Sequence, residues 1–274
     1  MVAVQAQLID AQRPQVRTPV QNHPRVNILG IPVSAINMTR AVEIIGGWIA
    51  QGRSAYVAVA DVHSVMRGVD TSEHADALAQ ADMVAPDGKP LSVVGRLRGH
   101  RTMSQVCGPE LLPAIMAQSA QNGWTHYFYG GADGVAADLV TRMRAQFPGV
   151  EIVGHECPPF RSLTMSEKLE TAARIRESGA DIVWVGLGCP KQERWMLENT
   201  HRLPGQVLIG IGAAFDFHTG RVARAPRWLR DSGLEWLHRL ASNPARLWRR
   251  YLVHAPRFVM QTLAESMQPV RPKF

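Results

Sequence analysis

The sequence predicts an α/β fold, a parallel sheet flanked by helices, followed by a basic helical C-terminal appendage. Short apolar runs alternate with longer amphipathic stretches from about residue 26 to 211, the strand, helix, strand rhythm that produces parallel sheets. Strand signals stop near Gly220, where Arg and Trp accumulate among Pro-punctuated helical stretches. A chain of 274 residues, 46% of them hydrophobic, can bury a substantial core, which argues against disorder and fits one large domain with extensions.

The elements follow in order. Residues 1–25, rich in Gln and Pro and without periodicity, read as a disordered leader, so structure is expected from about Val26. Apolar runs place a strand or hairpin at 28–33 and a buried strand at 55–59; amphipathic stretches place helices at 38–51 and 72–81. The alternation continues with a helix at 110–122, a strand at 126–129, a helix at 134–146 and a strand at 151–154. A helix at 166–178, a strand at 182–185, a helix at 192–199 and a strand at 207–211 complete a Rossmann-like order. The expected divisions are a leader (1–25), an α/β domain (26–219) and a basic helical appendage that associates with a membrane (220–274). In open parallel sheets ligands bind at the carboxyl ends of the strands, which directs attention there.

A net charge of +7 and a pI near 9.8 imply an anionic partner: nucleic acid, anionic lipid or a phosphate-bearing substrate. Cys107, Cys157 and Cys189 are odd in number and widely spaced, so neither a disulfide framework nor a CxxC metal site can be drawn, and a reducing compartment is expected. The first two dozen residues lack a signal-peptide core, and no apolar run approaches the roughly 20 residues that span a bilayer. The expected location is the cytoplasm.

Glycines and polar residues gather at the strand ends. Gly130 and Gly131 follow one strand and precede a helix, where backbone amides can hold phosphate or a tight turn can form. A second strand ends in Gly186-Leu187-Gly188-Cys189-Pro190-Lys191-Gln192-Glu193: Lys191 can meet phosphate and Gln192 can bond a base or sugar, or these residues merely cap the helix. Asp216, after the next strand, could orient donor hydroxyls or form an Asx turn toward Gly220. Asp87 lies in Pro86-Asp87-Gly88, a common turn, but Asp61 and His63 also follow a strand, and clustered carboxylates with an imidazole suit general-base work on a hydroxyl.

Six motifs in this order resemble the WecG/TagA/CpsF glycosyltransferases over about residues 26–251. They are Ala81-Asp82 through Pro86-Asp87-Gly88, Val106-Cys107-Gly108-Pro109-Glu110-Leu111, Tyr129-Gly130-Gly131, Gly186 through Glu193, Gly212-Ala213-Ala214-Phe215-Asp216-Phe217, and Arg224-Ala225-Pro226 through Leu240. The resemblance implies an inverting transfer that requires no metal or other cofactor, with Asp87 as the base and Gly188, Lys191, Gln192, Glu193 and Asp216 around the donor. It also implies that Arg224 and Arg227 approach the diphosphates, with bidentate Arg to phosphate as the physical reason. Where many members carry Thr-x-Asn, this chain has Val59 and Asp61. With His63, that departure resembles the hexosyltransferase branch typified by GumM, so the expected reaction is transfer of a hexose, glucose from a UDP donor, to a polyprenyl-diphosphate-linked saccharide in exopolysaccharide synthesis. The alternative within the family is N-acetylmannosaminyl or N-acetylmannosaminuronyl transfer.

After Gly220, arginines interleave with Trp228, Trp236, Trp248 and Tyr251, a pattern suited to the anionic inner face of the cell membrane. A basic Trp-rich helix pair could instead pack on the sheet or on a second subunit, so a homo-oligomer stays open. Single-stranded nucleic acid is the alternative partner from another class. It is not expected, because the charge is confined to the tail while the glycine-rich strand ends form a small-molecule site. An oxidoreductase is disfavoured because no GxGxxG with a downstream acidic partner appears.

Overall fold

The computed structural model describes residues 23–267. The chain opens with an antiparallel hairpin, β1 (Arg25–Ile28) and β2 (Ile31–Ser34), then α1 (Met38–Ala50) and β3 (Ala55–Ala60). Next come α2 (Val62–Asp70), α3 (Ser72–Ala79), β4 (Met83–Pro86), α4 (Lys89–Leu97) and α5 (Gly108–Asn122). The second half runs β5 (Thr125–Gly130), α6 (Val135–Gln146), β6 (Glu151–Glu156), α7 (Met165–Glu177), β7 (Ile182–Gly186), α8 (Lys191–Asn199), β8 (Val207–Gly210) and α9 (Ala214–His218). Beyond lie α10 (Arg227–Ser232), α11 (Glu235–Ser242), α12 (Pro244–Trp248), a π-helical stretch Arg249–His254 and α13 (Ala255–Met267).

Strands β3 to β8 form one parallel six-stranded sheet in the order β4-β3-β8-β7-β5-β6. Strands β3, β4, β7 and β8 are apolar at nearly every position because both faces are covered, edge strand β6 is more polar, and the period of two sends neighbours to opposite cores. Val57, Phe128, Trp184 and Ile209 enter one core with α1, α5 and α6. Tyr56, Tyr129, Val183 and Leu208 enter the other, with the hairpin, α2 and Phe258 of α13. The chain leaves β7 toward the second core, where Met196 of α8 packs, but leaves β5 and β8 toward the first, where Val135 and Phe215 pack. Above the carboxyl end of β7 the connections therefore diverge, the switch point that in open parallel sheets marks the ligand crevice.

The sequence reading did not place α2, α4, α9 or strand β4. At α2, Gly68 and the β-branched valines lower helix propensity, yet Gly68 is there for packing: a Cβ would lie 2.7 Å from Ile31 Cδ1 of the hairpin. At α4, Pro90 sits in the first turn, where a missing N–H costs nothing. Order also reaches back further than residue 26: His23 is buried and hydrogen-bonded to Ser34 Oγ at 2.8 Å, and Arg25 donates to the carbonyls of Ala81 and Asp82. Of the expected leader, residues 1–22 lie outside the described residues.

The segment after Gly220 is tied to the sheet domain. Phe258 and Thr262, one turn apart, are the buried face of α13. Arg257 pairs with Asp70 at 2.6 Å and Glu265 with Arg98 at 2.7 Å. No helix among the described residues is long and apolar enough to cross a membrane.

Candidate active site

Register builds the first half of the site. Parallel pairing sets Ala60 of β3 beside Pro86 of β4, so the next residues, Asp61 and Asp87, leave the sheet edge together. The Asp87 amide donates to the Ala60 carbonyl at 2.8 Å, which fixes that exit. Gly88 follows at φ 97, a left-handed conformation that a side chain resists, and begins α4.

Asp61 has two partners. It caps α2, accepting from the Ser64 amide at 3.0 Å, and it forms an ion pair with Arg250 from the π-helical stretch. Burial pushes its carboxyl up, but Arg250, the Ser64 amide and His63 outweigh this and hold it below the usual carboxylate range. Asp87 is half-buried and titrates the other way. Burial, then the charge of Asp61, push it up to about 7; Arg250 and Arg239 pull it down, and Glu235 raises it again. Two carboxylates in one niche thus take different states at neutral pH, one ionised and one poised to exchange a proton.

His63 stands beside this pair, its ring 4.9 Å from that of His254. Burial, Arg250, His254 and Arg67 lower it to about 4 against the pull of Asp61, so it is neutral at physiological pH.

The second half is the crevice over β7. A Cβ on Gly130 would lie 2.6 Å from the Gly186 backbone, and the Gly131 amide donates to the Gly186 carbonyl at 3.0 Å. These glycines let β5 and β7 close up tightly at the sheet edge, while Phe215 packs over Gly186. Gly188 (φ 75) turns the chain into a cis Cys189–Pro190 bond and α8. Lys191 is exposed at its start. Gln192 and Glu193 are buried: Gln192 Nε2 donates to Glu193 Oε1 at 2.9 Å, and Gln192 Oε1 and Glu193 Oε2 have no protein partner. The Gln192 amide lies under Gly210 and Gly212, whose lack of side chains makes room for it. Burial pushes the Glu193 carboxyl up to about 7.

Asp216 is half-buried in α9, and its carbonyl accepts from the Val222 amide at 3.2 Å. Arg224 is held by carboxylates, pairing with Glu110 at the start of α5 and approaching Glu235 at 3.5 Å. Through Glu235, which raises Asp87, it borders the first half of the site. The side chain of Arg227 lies outside what the structure describes.

Asp61, His63 and Asp87 therefore gather at the β3–β4 end, and Gly130, Gly131, Gly188, Gln192 and Glu193 line the β5–β7–β8 crevice, all on one sheet edge. Lys191 and Asp216 sit on the same edge without a side-chain contact joining them to either group. Sequence reading did not single out Arg250, Arg239 or Glu235 for the site. Arg250 reaches Asp61 across 189 residues, and Arg239, lying over the Phe217 ring at 5.3 Å, acts on Asp87. Glu235 and Arg239 lie within the sixth motif, residues 224–240, whereas Arg250 carries only the signal of the basic tail.

Comparison with known proteins follows this geometry. A curated protein of Bacillus spizizenii (strain W23), N-acetylglucosaminyldiphosphoundecaprenol N-acetyl-beta-D-mannosaminyltransferase, is 31% identical over 227 residues, covering 83% of this chain and 86% of its own. A protein of the same name from Bacillus subtilis (strain 168) is 27% identical over 240 residues, covering 87% and 91%. The profile of the glycosyl transferase WecG/TagA/CpsF family matches residues 26–272, and the chain belongs to that family.

Proposed function

We propose that the protein transfers an N-acetylmannosaminyl residue from a nucleotide diphosphate donor to a polyprenyl-diphosphate-linked N-acetylglucosamine, with Asp87 as general base. The observation that supports this reading is the exit of Asp61 and Asp87 side by side from the paired ends of β3 and β4, where burial and then the Asp61 charge push the Asp87 carboxyl up to about 7. Near neutral pH such a group can take the proton of an acceptor hydroxyl. The freed oxygen attacks the anomeric carbon, the bond to the nucleotide diphosphate breaks, and the diphosphate leaves with the electron pair. One displacement inverts the anomeric centre. Lys191 and the arginines of the appendage are the cations available to meet the departing charge.

Scale supports a nucleotide sugar. Asp87 follows β4 and Gln192 follows β7, three strand spacings apart in the sheet order, or roughly 14 Å. A monosaccharide does not bridge that span; a nucleotide diphosphate with its sugar does. The names of the two relatives favour the N-acetylmannosaminyl reading over glucose. The glucose expectation rested on Val59, Asp61 and His63, and the helix cap and Arg250 pair account for Asp61 without a sugar.

A membrane-facing role for the appendage fits its exposed apolar side chains, among them Trp228 (67%), Met260 (66%) and Leu263 (60%). The test is incubation with a panel of nucleotide sugars, N-acetylmannosamine and glucose donors included, and lipid-diphosphate acceptors, comparing wild type with Asp87→Ala. Transfer of N-acetylmannosamine, reduced at least about a hundredfold in the variant, is the expected result. Near-normal turnover by Asp87→Ala removes the base assignment, and preference for a glucose donor removes the sugar assignment.

A further inference from the structure

Behind the β7 crevice a second constellation adds His74 and Cys189, which the transfer chemistry does not use, to Glu193, which it shares with the crevice. His74 is buried on α3, which packs against α8; Cys189 ends the turn after β7; Glu193 is fully buried in the first turn of α8. One potential ligand atom from each lies within 4.8 Å of the other two. We propose that His74, Cys189 and Glu193 form a binding site for a borderline-soft divalent cation of the zinc class, which clamps α3 to the first turn of α8, where Lys191 and Gln192 lie.

Three features point to a ligand rather than a chance polar cluster. The first is donor chemistry: imidazole nitrogen, sulfur and carboxylate oxygen together suit zinc and its neighbours, whereas magnesium and calcium take oxygen. The second is spacing. Cys189 Sγ stands 3.7 Å from His74 Nε2, and a tetrahedral ion with metal–sulfur and metal–nitrogen bonds of about 2.3 and 2.05 Å separates them by about 3.6 Å. The third is an unmet need. Glu193 Oε2 is buried with no partner, while Oε1 is held by Gln192, the arrangement of a ligating carboxylate oriented by a neighbouring amide.

Three protein ligands leave one tetrahedral position. Ser64 Oγ, 3.0 Å from His74 Nε2, or a water fills it. Coordination through Nε2 leaves the ring proton on Nδ1, and loss of the thiol proton of Cys189 accompanies binding. Cys189 is partly exposed, which gives an ion a way in. The site shares Glu193 with the crevice and does not include Asp87, so metal binding is read from the metal itself rather than from transfer.

The test uses the full-length protein, stripped with a chelator and titrated with Co²⁺, then with Zn²⁺ in competition. The expected result is one tight site per chain, a thiolate-to-cobalt charge-transfer band, its loss on adding Zn²⁺, and a higher thermal midpoint with metal. Cys189→Ala should abolish the band and Glu193→Gln should weaken Co²⁺ affinity at least tenfold, each with an unchanged far-ultraviolet circular dichroism spectrum. Absence of the band in wild type, or its persistence in Cys189→Ala with Cys107 or Cys157 as the sulfur source, overturns the proposal. Neither outcome depends on which sugar is transferred.

Discussion

At neutral pH the carboxyl of Asp87, raised to about 7, divides between its two protonation forms, so transfer rate and folding stability should both titrate through it. Transfer requires the ionised form and should rise with pH through about 7 before levelling. Stability runs the other way. In the unfolded chain an aspartate titrates near 3.9, so between about pH 4 and 7 the folded protein holds the extra proton and loses stability as pH rises. Asp87→Asn removes that loss while removing the base. Its thermal midpoint should exceed that of wild type at pH 8, by the equivalent of about 1–4 kcal/mol, and should match it near pH 4. Melts at the two pH values decide this, and equal midpoints at pH 8 would show that Asp87 is not raised. Little of this was legible in Pro86-Asp87-Gly88, which reads as a surface turn. The charge state depends first on burial and then on Asp61, Arg250, Arg239 and Glu235, and only strand register and tail docking bring these to one place.

At the scale of elements, the sheet strands other than β4 were readable as short runs bounded by turns, and β5 and β7 lie within a residue or two of expectation, but the four residues of β4 are too few to announce a strand. Sheet order was not readable: β8, last in sequence, inserts between β3 and β7, and no local pattern reports that. Helix α2 was hidden by Gly68, a residue chosen for contact with the hairpin rather than for helix propensity. The junction between the N-terminus of α2 and the π-helical stretch rests on Asp61 and Arg250, and two substitutions separate the roles of Asp61. Asn at position 61 caps a helix as well as Asp does, so Asp61→Asn should lose only the ion pair. Arg250→Met should lose the same pair and also leave the Asp61 carboxylate without its counter-ion. Each should destabilise by about 1.5–3 kcal/mol in urea unfolding, with the double variant close to the worse single one. Additive losses would mean that the two residues do not act as a pair. Limited proteolysis between residues 220 and 250 should quicken in both variants if this contact holds the appendage down.

Across the whole molecule, charge and apolar surface both gather in the appendage while the sheet edge faces it. Helix α13 shows how one segment serves two surroundings: Phe258 and Thr262 are buried toward the domain, while Met260, Leu263 and Met267, spaced by three and four residues, are exposed along another face. Exposed apolar side chains scattered singly need no explanation, but Trp228, Leu252, Met260 and Leu263, each more than half exposed, all fall in the arginine-rich appendage. That combination suits an anionic bilayer surface, where guanidinium groups meet phosphates and apolar bodies enter the interface. Deleting the appendage is a poor test, because Phe258 and the Arg250 pair belong to the folded domain. Replacing Trp228, Met260 and Leu263 with Ser leaves those anchors intact. The triple variant should melt like wild type yet bind phosphatidylglycerol vesicles at least about a hundredfold more weakly, since each buried apolar side chain contributes on the order of 1.5–3 kcal/mol. Its transfer to a short-chain, water-soluble acceptor should persist while transfer to a vesicle-embedded acceptor falls. Undiminished vesicle binding would assign the apolar face to something other than the membrane, and a vesicle interaction that ignores salt would remove the arginines from it.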